Sequence, residues 1–283
     1  SKVRLGVFDK KLFKLKSICE KECLSNLNEK NLDIINSDEV VSELVKISEK
    51  KINSHLNEIS IIIDTPDIEL IDLSIKKNLD EKTISLEDIS YITRDANKLI
   101  QSNYPDKKIL HTIIDKYILD EKEFKEFPEK RFNCKELVLQ FKFIFFSRKT
   151  YNEILSHFKN NHIEIKKIYC SSYIKSINYN KFFEDYDKKI FLDIGYSKSC
   201  LVVFEKKRLL YIKNIPIGGH HITKDISKIF KISENEAEKI KKSLNQTNTT
   251  FSDMSSDEFL SDNNIKKNLE NKFSLELLNK VIH

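Results

Sequence analysis

Residues that interrupt regular structure are scarce in this sequence. Its 283 residues include four glycines, four prolines, one methionine and no tryptophan. So few chain breakers exclude collagen-like, proline-rich and low-complexity proteins. Because 40% of the residues are hydrophobic and 33% are charged, we predict a folded globular chain. At this length it can bury a sizeable core, and we expect two lobes rather than one large domain.

Long runs of one residue type are also missing. Apolar runs such as 61–63 and 143–146 are far shorter than the roughly 18 to 20 residues that a membrane-spanning helix needs. The net charge is +5, and 49 basic and 44 acidic residues are mixed along most of the chain, so we expect no nucleic-acid partner. Five scattered cysteines predict reduced structural thiols in a cytoplasmic protein, without a zinc site.

Glycine is concentrated in one part of the chain. Gly195, Gly218 and Gly219 are three of the four glycines and lie within one short stretch. Glycine is required where the backbone takes a positive φ or closely approaches a ligand. The runs 193–195 and 217–219 are therefore the places where we expect chemistry.

Hydrophobic periodicity predicts an α/β lobe that is interrupted by a small α+β module. The lobe contains a hairpin near 3–18, a helix at 38–55, a strand at 59–64, a helix at 149–160 and a strand at 163–169. The module occupies 68–147, where Ser85 and Asp88 form a capping-box-like helix start and residues 137–145 alternate as a strand does.

A second lobe is predicted from about residue 190. It should begin with three strands that form a meander, at 190–193, 200–205 and 208–215. Two helices are expected at about 220–230 and 233–243, followed by a polar loop at 245–264 and a final apolar helix at roughly 274–282. Each predicted lobe therefore opens with an amphipathic hairpin, and two similar halves that face each other suit a nucleotide-binding cleft.

The turn at 193–199 carries the candidate chemistry. Strand, turn and strand form a tight hairpin whose backbone N–H groups can surround a phosphate, and the carboxylate of Asp193 at the strand end can hold a hydrated Mg²⁺ ion. Taken alone, the pattern favours an ordinary hairpin with one turn glycine over a phosphate site. Its order in the chain adds weight, because Gly218 and Gly219 follow it and lead into a helix that contains Thr223.

Three stretches of the sequence resemble motifs of one known family. They are 109–120 (ILHTIIDKYILD), 215–226 (IPIGGHHITKDI) and 233–241 (SENEAEKIK). In this order they are similar to the ILHxIPxxYxID, IPVGGxHITxDIA and xxAExIK motifs of the bacterial cell-division FtsA family, which belongs to the actin-like ATPase superfamily. The resemblance extends over nearly the whole chain.

The resemblance implies an α/β fold of the two-lobed, actin-like (ribonuclease H-like) type with an inserted α+β subdomain 1C of the SHS2 type. The implied subdomains are 1A at 1–80 and 148–188, 1C at 81–147, 2A at 189–232 and the start of 2B at 233–283. It also implies that the chain begins inside the family's first phosphate loop and stops before the rest of 2B, an adenosine loop and a C-terminal amphipathic helix.

The resemblance further implies ATP and Mg²⁺ as cofactors. Lys2 would be the surviving end of the first phosphate loop, Asp193 would orient Mg²⁺ or its water, and Glu238 and Lys241 would contact the ribose or base. The full set of implied nucleotide-binding residues is Lys2, Asp193, Gly195, Tyr196, Ser197, Lys198, Ser199, Gly218, Gly219, Glu238 and Lys241.

Two local features qualify this set. Residues 196–199 stand where many family members have Gly-Gly-Thr-Thr, so their side chains can crowd the phosphates, although Lys198 can also neutralise them. His220 and His221 are adjacent on a helix and point about 100° apart, which favours capping or packing over a shared metal.

We expect a nucleotide-binding scaffold with at most weak ATPase activity. By resemblance it would tether the division ring at the septum on the cytoplasmic side of the cell membrane. Its partners would be FtsZ through 2B, further copies of itself in protofilaments, later divisome proteins through 1C, and the inner membrane through a helix absent from this chain. The alternatives are a scaffold of pilus assembly similar to PilM, and an FtsA homologue that no longer binds nucleotide. A sugar-kinase-like enzyme would need a catalytic Asp and polar sugar ligands, and the sequence has no such set.

Overall fold

The computed structural model describes residues 2–9, 11–12, 14–22, 34–128, 133–160, 162–183 and 185–246. The chain divides into two compact units. Unit 1 comprises Ser1–Phe191 and Leu201–Asn214, and unit 2 comprises Leu192–Cys200 and the chain from Ile215 onward.

The elements follow one another in this order: β1 (Lys2–Asp9), β2 (Lys14–Glu22), α1 (Ile34–Ile52), β3 (Glu58–Ile63), β4 (Glu69–Thr83), α2 (Leu86–Asn103), β5 (Lys107–Leu119), β6 (Lys122–Phe124), β7 (Asn133–Ser147), α3 (Arg148–Asn160), β8 (Glu164–Cys170), α4 (Ser171–Asn180), a 3₁₀ turn (Lys181–Phe183), β9 (Lys188–Ile194), β10 (Ser199–Glu205), β11 (Arg208–Ile215), α5 (Gly219–Phe230) and α6 (Glu234–Gln246).

The predicted α/β elements are present in unit 1. β1 and β2 form the expected antiparallel hairpin, and β3 pairs in parallel with β8. α1 packs on the hairpin and buries Leu44 and Val45. A parallel pair needs a long crossover between its strands, and here the chain from residue 64 to residue 163 supplies it.

The α+β module forms a sheet of its own, with strand order β4-β7-β5-β6. α2 covers one face of this sheet, and the alternating residues of β7 fill the core beneath it: Leu137, Leu139, Phe141, Phe143 and Phe145. The predicted helix start is confirmed, because Ser85 and Asp88 form a reciprocal capping box. β4 begins at Glu69, so the expected subdomain boundary between residues 80 and 81 lies inside a strand of this sheet.

The predicted meander is also present, with strand order β11-β10-β9. α5 and α6 pack together through an apolar stripe of each helix, and Ile226, Phe230, Ala237 and Ile240 are buried. α6 extends to Gln246, three residues beyond its expected end at 243. The rest of the predicted loop at 245–264 and the helix at 274–282 lie outside the described residues.

Candidate functional site

The turn that joins β9 to β10 is closed by its own backbone. The N–H of Gly195 donates a hydrogen bond to the carbonyl oxygen of Lys198 at 2.9 Å. A Cβ atom on Gly195 would lie 2.8 Å from that oxygen, closer than real Cβ contacts allow. None of the glycines in the described residues has a positive φ, so close approach of the backbone is what requires glycine here.

The start of α5 lies directly against this turn. The N–H of Gly219 donates to the carbonyl oxygen of Gly195 at 2.9 Å, and the N–H of His220 donates to that of Tyr196 at 2.7 Å. A Cβ atom on Gly218 would lie 2.6 Å from both the nitrogen of Lys198 and the oxygen of Tyr196. The first N–H groups of α5 therefore bind the carbonyl groups of the turn. Gly218 is required for this contact because a side chain at this position would strike the turn.

This contact sets the direction of two N–H groups in the turn. In a trans peptide the C=O and the next N–H point in opposite directions, and these peptides are trans. Because the carbonyls of Gly195 and Tyr196 point at α5, the N–H groups of Tyr196 and Ser197 point away from it. Neither of these N–H groups donates to another residue in the part of the chain that the structure describes. Two successive N–H groups with the same orientation form the kind of concavity that binds anions.

The side chains of the turn have different surroundings. The Tyr196 ring stacks on the His220 ring, with centroids 4.7 Å apart. Ser197 is exposed, whereas Lys198 and Ser199 are buried. The hydroxyl of Ser199 donates to the carbonyl oxygen of Ile217 at 2.7 Å, so its proton is used inside the protein.

Asp193 lies on β9, one residue before the end of the strand, and is partly exposed. Among the described residues, no group of three or more His, Cys, Asp and Glu side chains is placed to hold a metal ion. Mg²⁺ usually keeps several waters and takes one or two carboxylates together with substrate phosphates. The donor set here fits Mg²⁺ only in that form, with Asp193 as the single protein carboxylate.

Glu238 and Lys241 connect α6 to the first turn of α5. The ammonium of Lys241 donates to the Gly219 carbonyl oxygen at 2.9 Å, the Thr223 hydroxyl at 2.7 Å and the Glu238 carboxylate at 2.6 Å. These three bonds use all three protons of the ammonium. Burial alone would raise the pKa of Glu238, but hydrogen bonds from Lys241 and from Thr223, at 2.5 Å, outweigh it and lower the pKa.

The adjacent histidines have different roles. Nδ1 of His221 accepts a hydrogen bond from the N–H of Gly218 at 3.1 Å, so the expected capping role is confirmed for this residue. His220 is 6% exposed, and neither of its ring nitrogens has a hydrogen-bond partner. Its Nε2 lies 3.8 Å from the carboxylate of Glu234. Burial, together with the charge of Lys224, lowers the pKa of His220 and favours the neutral ring.

Unit 2 contains all the residues of the predicted site except Lys2. They are Asp193, Gly195, Tyr196, Ser197, Lys198, Ser199, Gly218, Gly219, Glu238 and Lys241. Lys2 begins β1 in unit 1, opposite Glu22 of the hairpin. A nucleotide contact by any of these residues stays a prediction.

Two residues of the site, Thr223 and His220, were not predicted from the sequence. Thr223 could have been found, because it follows Gly219 by one helical turn, which places both residues on one face of the helix.

The sequence similarity to a known family covers the stretch that contains this site. The family model for cell division protein FtsA matches residues 190–278. Cell division protein FtsA of Bacillus subtilis (strain 168) is 43% identical over 53 residues, which are 19% of this chain and 12% of that protein. The chain thus spans about an eighth of the length of this relative.

The comparison with solved structures extends over a larger part of the chain, and the fold is supported by the first of the two that follow. The PilM-PilN type IV pilus biogenesis complex gives a TM-score of 0.60 at 12% identity and covers 87% of this chain and 68% of that chain. The ethanolamine utilization protein EutJ from Carboxydothermus hydrogenoformans gives a TM-score of 0.42 at 16% identity, over 85% of this chain and 57% of that chain. The chain has the mixed α/β fold of the actin-like ATPases, and its similarity to FtsA is found in the stretch that contains the turn, α5 and α6.

Proposed function

We propose that this chain is an FtsA-like, actin-fold scaffold that binds Mg·ATP at the turn between β9 and β10. The observation that carries the proposal is the pair of N–H groups of Tyr196 and Ser197, which α5 directs outward by holding the carbonyls on the other side. This pair lies within the residues that match the FtsA family.

Each polar group of the site then has a distinct task. The N–H groups of Tyr196 and Ser197 donate to phosphate oxygens, and Asp193 accepts hydrogen bonds from water on Mg²⁺ or binds the ion. One oxygen of Glu238 is used by Thr223 and Lys241, and the other lies 3.6 Å from the exposed ammonium of Lys242, so a ribose hydroxyl would share that second oxygen with Lys242. Bound nucleotide supplies the charge that these donors recognise, and we propose that its presence controls assembly more than turnover.

The proposed partners follow the FtsA family. They are FtsZ, through the part of 2B that begins at residue 233, further copies of this chain, and later divisome proteins through subdomain 1C, which the resemblance placed at 81–147. Placement at the septum, on the cytoplasmic face of the membrane, would require a membrane anchor. None of the described helices is long and apolar enough to cross a membrane.

Binding is tested directly at the two N–H groups. We expect Mg·ATP to shift the ¹⁵N–¹H resonances of Tyr196 and Ser197 in a saturable, millimolar titration of the labelled chain. Asp193→Asn should weaken the Mg²⁺-dependent part of this response, because it removes the carboxylate charge. Asp225→Asn, which changes an exposed carboxylate of α5, is the matched control and should leave the response unchanged. Unperturbed Tyr196 and Ser197 resonances at about 10 mM Mg·ATP, about tenfold above the upper end of ordinary KM values, would refute the proposed site and favour a homologue without nucleotide.

A PilM-like scaffold is the second candidate, because the PilM-PilN structure shares the fold over 87% of the chain. The two candidates differ in the protein that they bind. We would measure binding of the purified chain to the FtsZ and to any PilN-type protein encoded in the same genome. Saturable binding of FtsZ supports the first proposal, whereas binding of the PilN-type protein alone would replace it with the second.

A further inference from the structure

The side chain of Tyr196 bears on the site in a way that its backbone does not. A ring attached to a turn residue can lie on either side of the turn, and Tyr196 as a whole residue is still 49% exposed. On one side it would cover the outward-facing N–H groups of Tyr196 and Ser197. On the other side it meets α5, and this is where the ring lies, stacked on His220 at 26° between planes.

His220 is unusual among the polar residues of α5. Its ring is buried, yet neither nitrogen has a hydrogen-bond partner, whereas the neighbouring His221 caps the helix through Nδ1. Burying a polar ring without hydrogen bonds is unfavourable. The ring makes its closest aromatic contact by stacking on Tyr196, and its Nε2 lies 3.8 Å from the Glu234 carboxylate, too far for a hydrogen bond.

We propose that His220 is a positioning residue that holds the Tyr196 ring on the α5 side of the turn and so keeps the phosphate-facing N–H groups open. The proposal rests on the proposed phosphate site. It also explains how a tyrosine can stand in a phosphate-binding turn, because its ring is directed away from the surface that binds phosphate.

The size of the effect follows from the strength of an aromatic contact. Stacked aromatic pairs contribute enough beyond their buried area to change an equilibrium by about two- to tenfold. Without the stack, the ring would spend more time over the N–H pair and compete with the anion. We therefore expect His220→Ala to weaken anion binding by about two- to tenfold.

The probe is sodium tripolyphosphate with Mg²⁺, titrated into the ¹⁵N-labelled chain while the Tyr196 and Ser197 resonances are followed. His220→Phe retains an aromatic face and should bind as the wild type does. His220→Leu retains bulk without an aromatic face, so it should weaken binding about as much as His220→Ala does. It replaces His220→Ala in the test if the alanine variant fails to fold. His55→Ala, at an exposed histidine of unit 1, is the control and should have no effect.

Rescue separates positioning from general damage. Tyr196→Ala removes the competing ring, so Tyr196→Ala/His220→Ala should recover wild-type affinity. If His220→Ala had instead weakened binding by damaging the fold, removal of the Tyr196 ring would not restore the affinity. The inference is overturned if His220→Ala and His220→Leu bind like the wild type, or if the double variant stays as weak as His220→Ala. No response of the wild type to tripolyphosphate would instead refute the proposed phosphate site, and the inference with it.

Discussion

Nε2 of His111 accepts a hydrogen bond from the backbone N–H of Cys170 at 3.0 Å, although the two residues are 59 positions apart. His111 lies on β5 of the module and Cys170 ends β8. An accepting Nε2 requires a neutral ring with its proton on Nδ1. Burial, assisted by the charge of Lys167, lowers the pKa of His111 to about 4. The bond that joins the two sheets therefore depends on pH.

The first prediction follows from this pKa. The unfolded chain has a His111 pKa near 6.5, so between pH 6.5 and 4 the unfolded state binds more protons than the folded state. The free energy of unfolding should therefore fall as the pH drops through this window, by about 3 kcal/mol in total from this residue. Urea unfolding at pH 7 and pH 4.5 measures the loss. His111→Gln retains an acceptor without a titrating ring, and an equal pH dependence in this variant would contradict the assignment.

The second prediction concerns the ion pair of Arg208 and Asp115. The guanidinium donates to both carboxylate oxygens, at 2.9 and 2.7 Å, and the Asp115 side chain is 7% exposed. Removing one partner of a buried pair leaves the other charge uncompensated. Arg208→Ala should therefore lower the free energy of unfolding by about 3 to 5 kcal/mol in chemical denaturation. Arg4→Ala breaks an exposed pair with Glu20 and should cost at most about 1 kcal/mol. Similar losses in the two variants would show that Asp115 is not buried as described.

Local sequence signals predicted most of the elements. The hairpin β1–β2, the capping box at Ser85 and the meander β9–β11 each follow from patterns within a few residues. β4 was harder to delimit, because its second half (KKNLDEKT) is strongly charged and hides the alternation that its first half has. Such an edge strand is specified by its pairing with β7, a strand that lies about fifty or more residues later in the chain, and no local pattern indicates this pairing.

In the candidate site, too, local features could be predicted from the sequence, whereas contacts between distant residues could not. The sequence indicated where glycine is needed but not why, since the atoms that a Gly218 side chain would strike belong to residues 195–198. The Tyr196–His220 stack and the bond from Thr223 to Glu238 likewise join residues that are far apart in the chain. Periodicity places residues on a face of an element, but it does not specify which face of another element they meet.

The third prediction compares the two adjacent glycines. A methyl group at Gly218 would overlap backbone atoms of the turn at 2.6 Å, whereas at Gly219 its nearest neighbour is the flexible end of Lys241 at 3.5 Å. Gly218→Ala should lower the free energy of unfolding by about 1 to 3 kcal/mol through overpacking. Gly219→Ala should change it by less than about 1 kcal/mol and towards stability, because alanine is the better helix former. Thermal or urea unfolding of the pair measures the difference, and equal values would mean that α5 does not lie against the turn.

The last prediction concerns the two adjacent lysines of α6. Lys241 is largely buried and makes three hydrogen bonds at the start of α5, whereas Lys242 is 70% exposed and lies 3.6 Å from Glu238. Lys241→Met retains the length of the side chain but removes the ammonium that donates to the Gly219 carbonyl and the Glu238 carboxylate. The Thr223 hydroxyl lies within reach of both acceptors, but its single proton can satisfy only one of them. A buried polar group without its partner costs about 1 to 3 kcal/mol, so urea unfolding of Lys241→Met should show a loss in that range.

Lys242→Met should cost less than about 1 kcal/mol, because an exposed ion pair contributes little. Losing the Lys241 charge should also raise the pKa of Glu238, which its hydrogen bonds with Lys241 and Thr223 now lower. A ¹³C-detected titration of the Glu238 carboxyl in both variants measures this shift directly. If Lys242→Met raised the pKa of Glu238 more than Lys241→Met did, the exposed lysine would be the main partner of Glu238. The contact of Lys241 with Glu238 would then not be the one that connects α6 to α5.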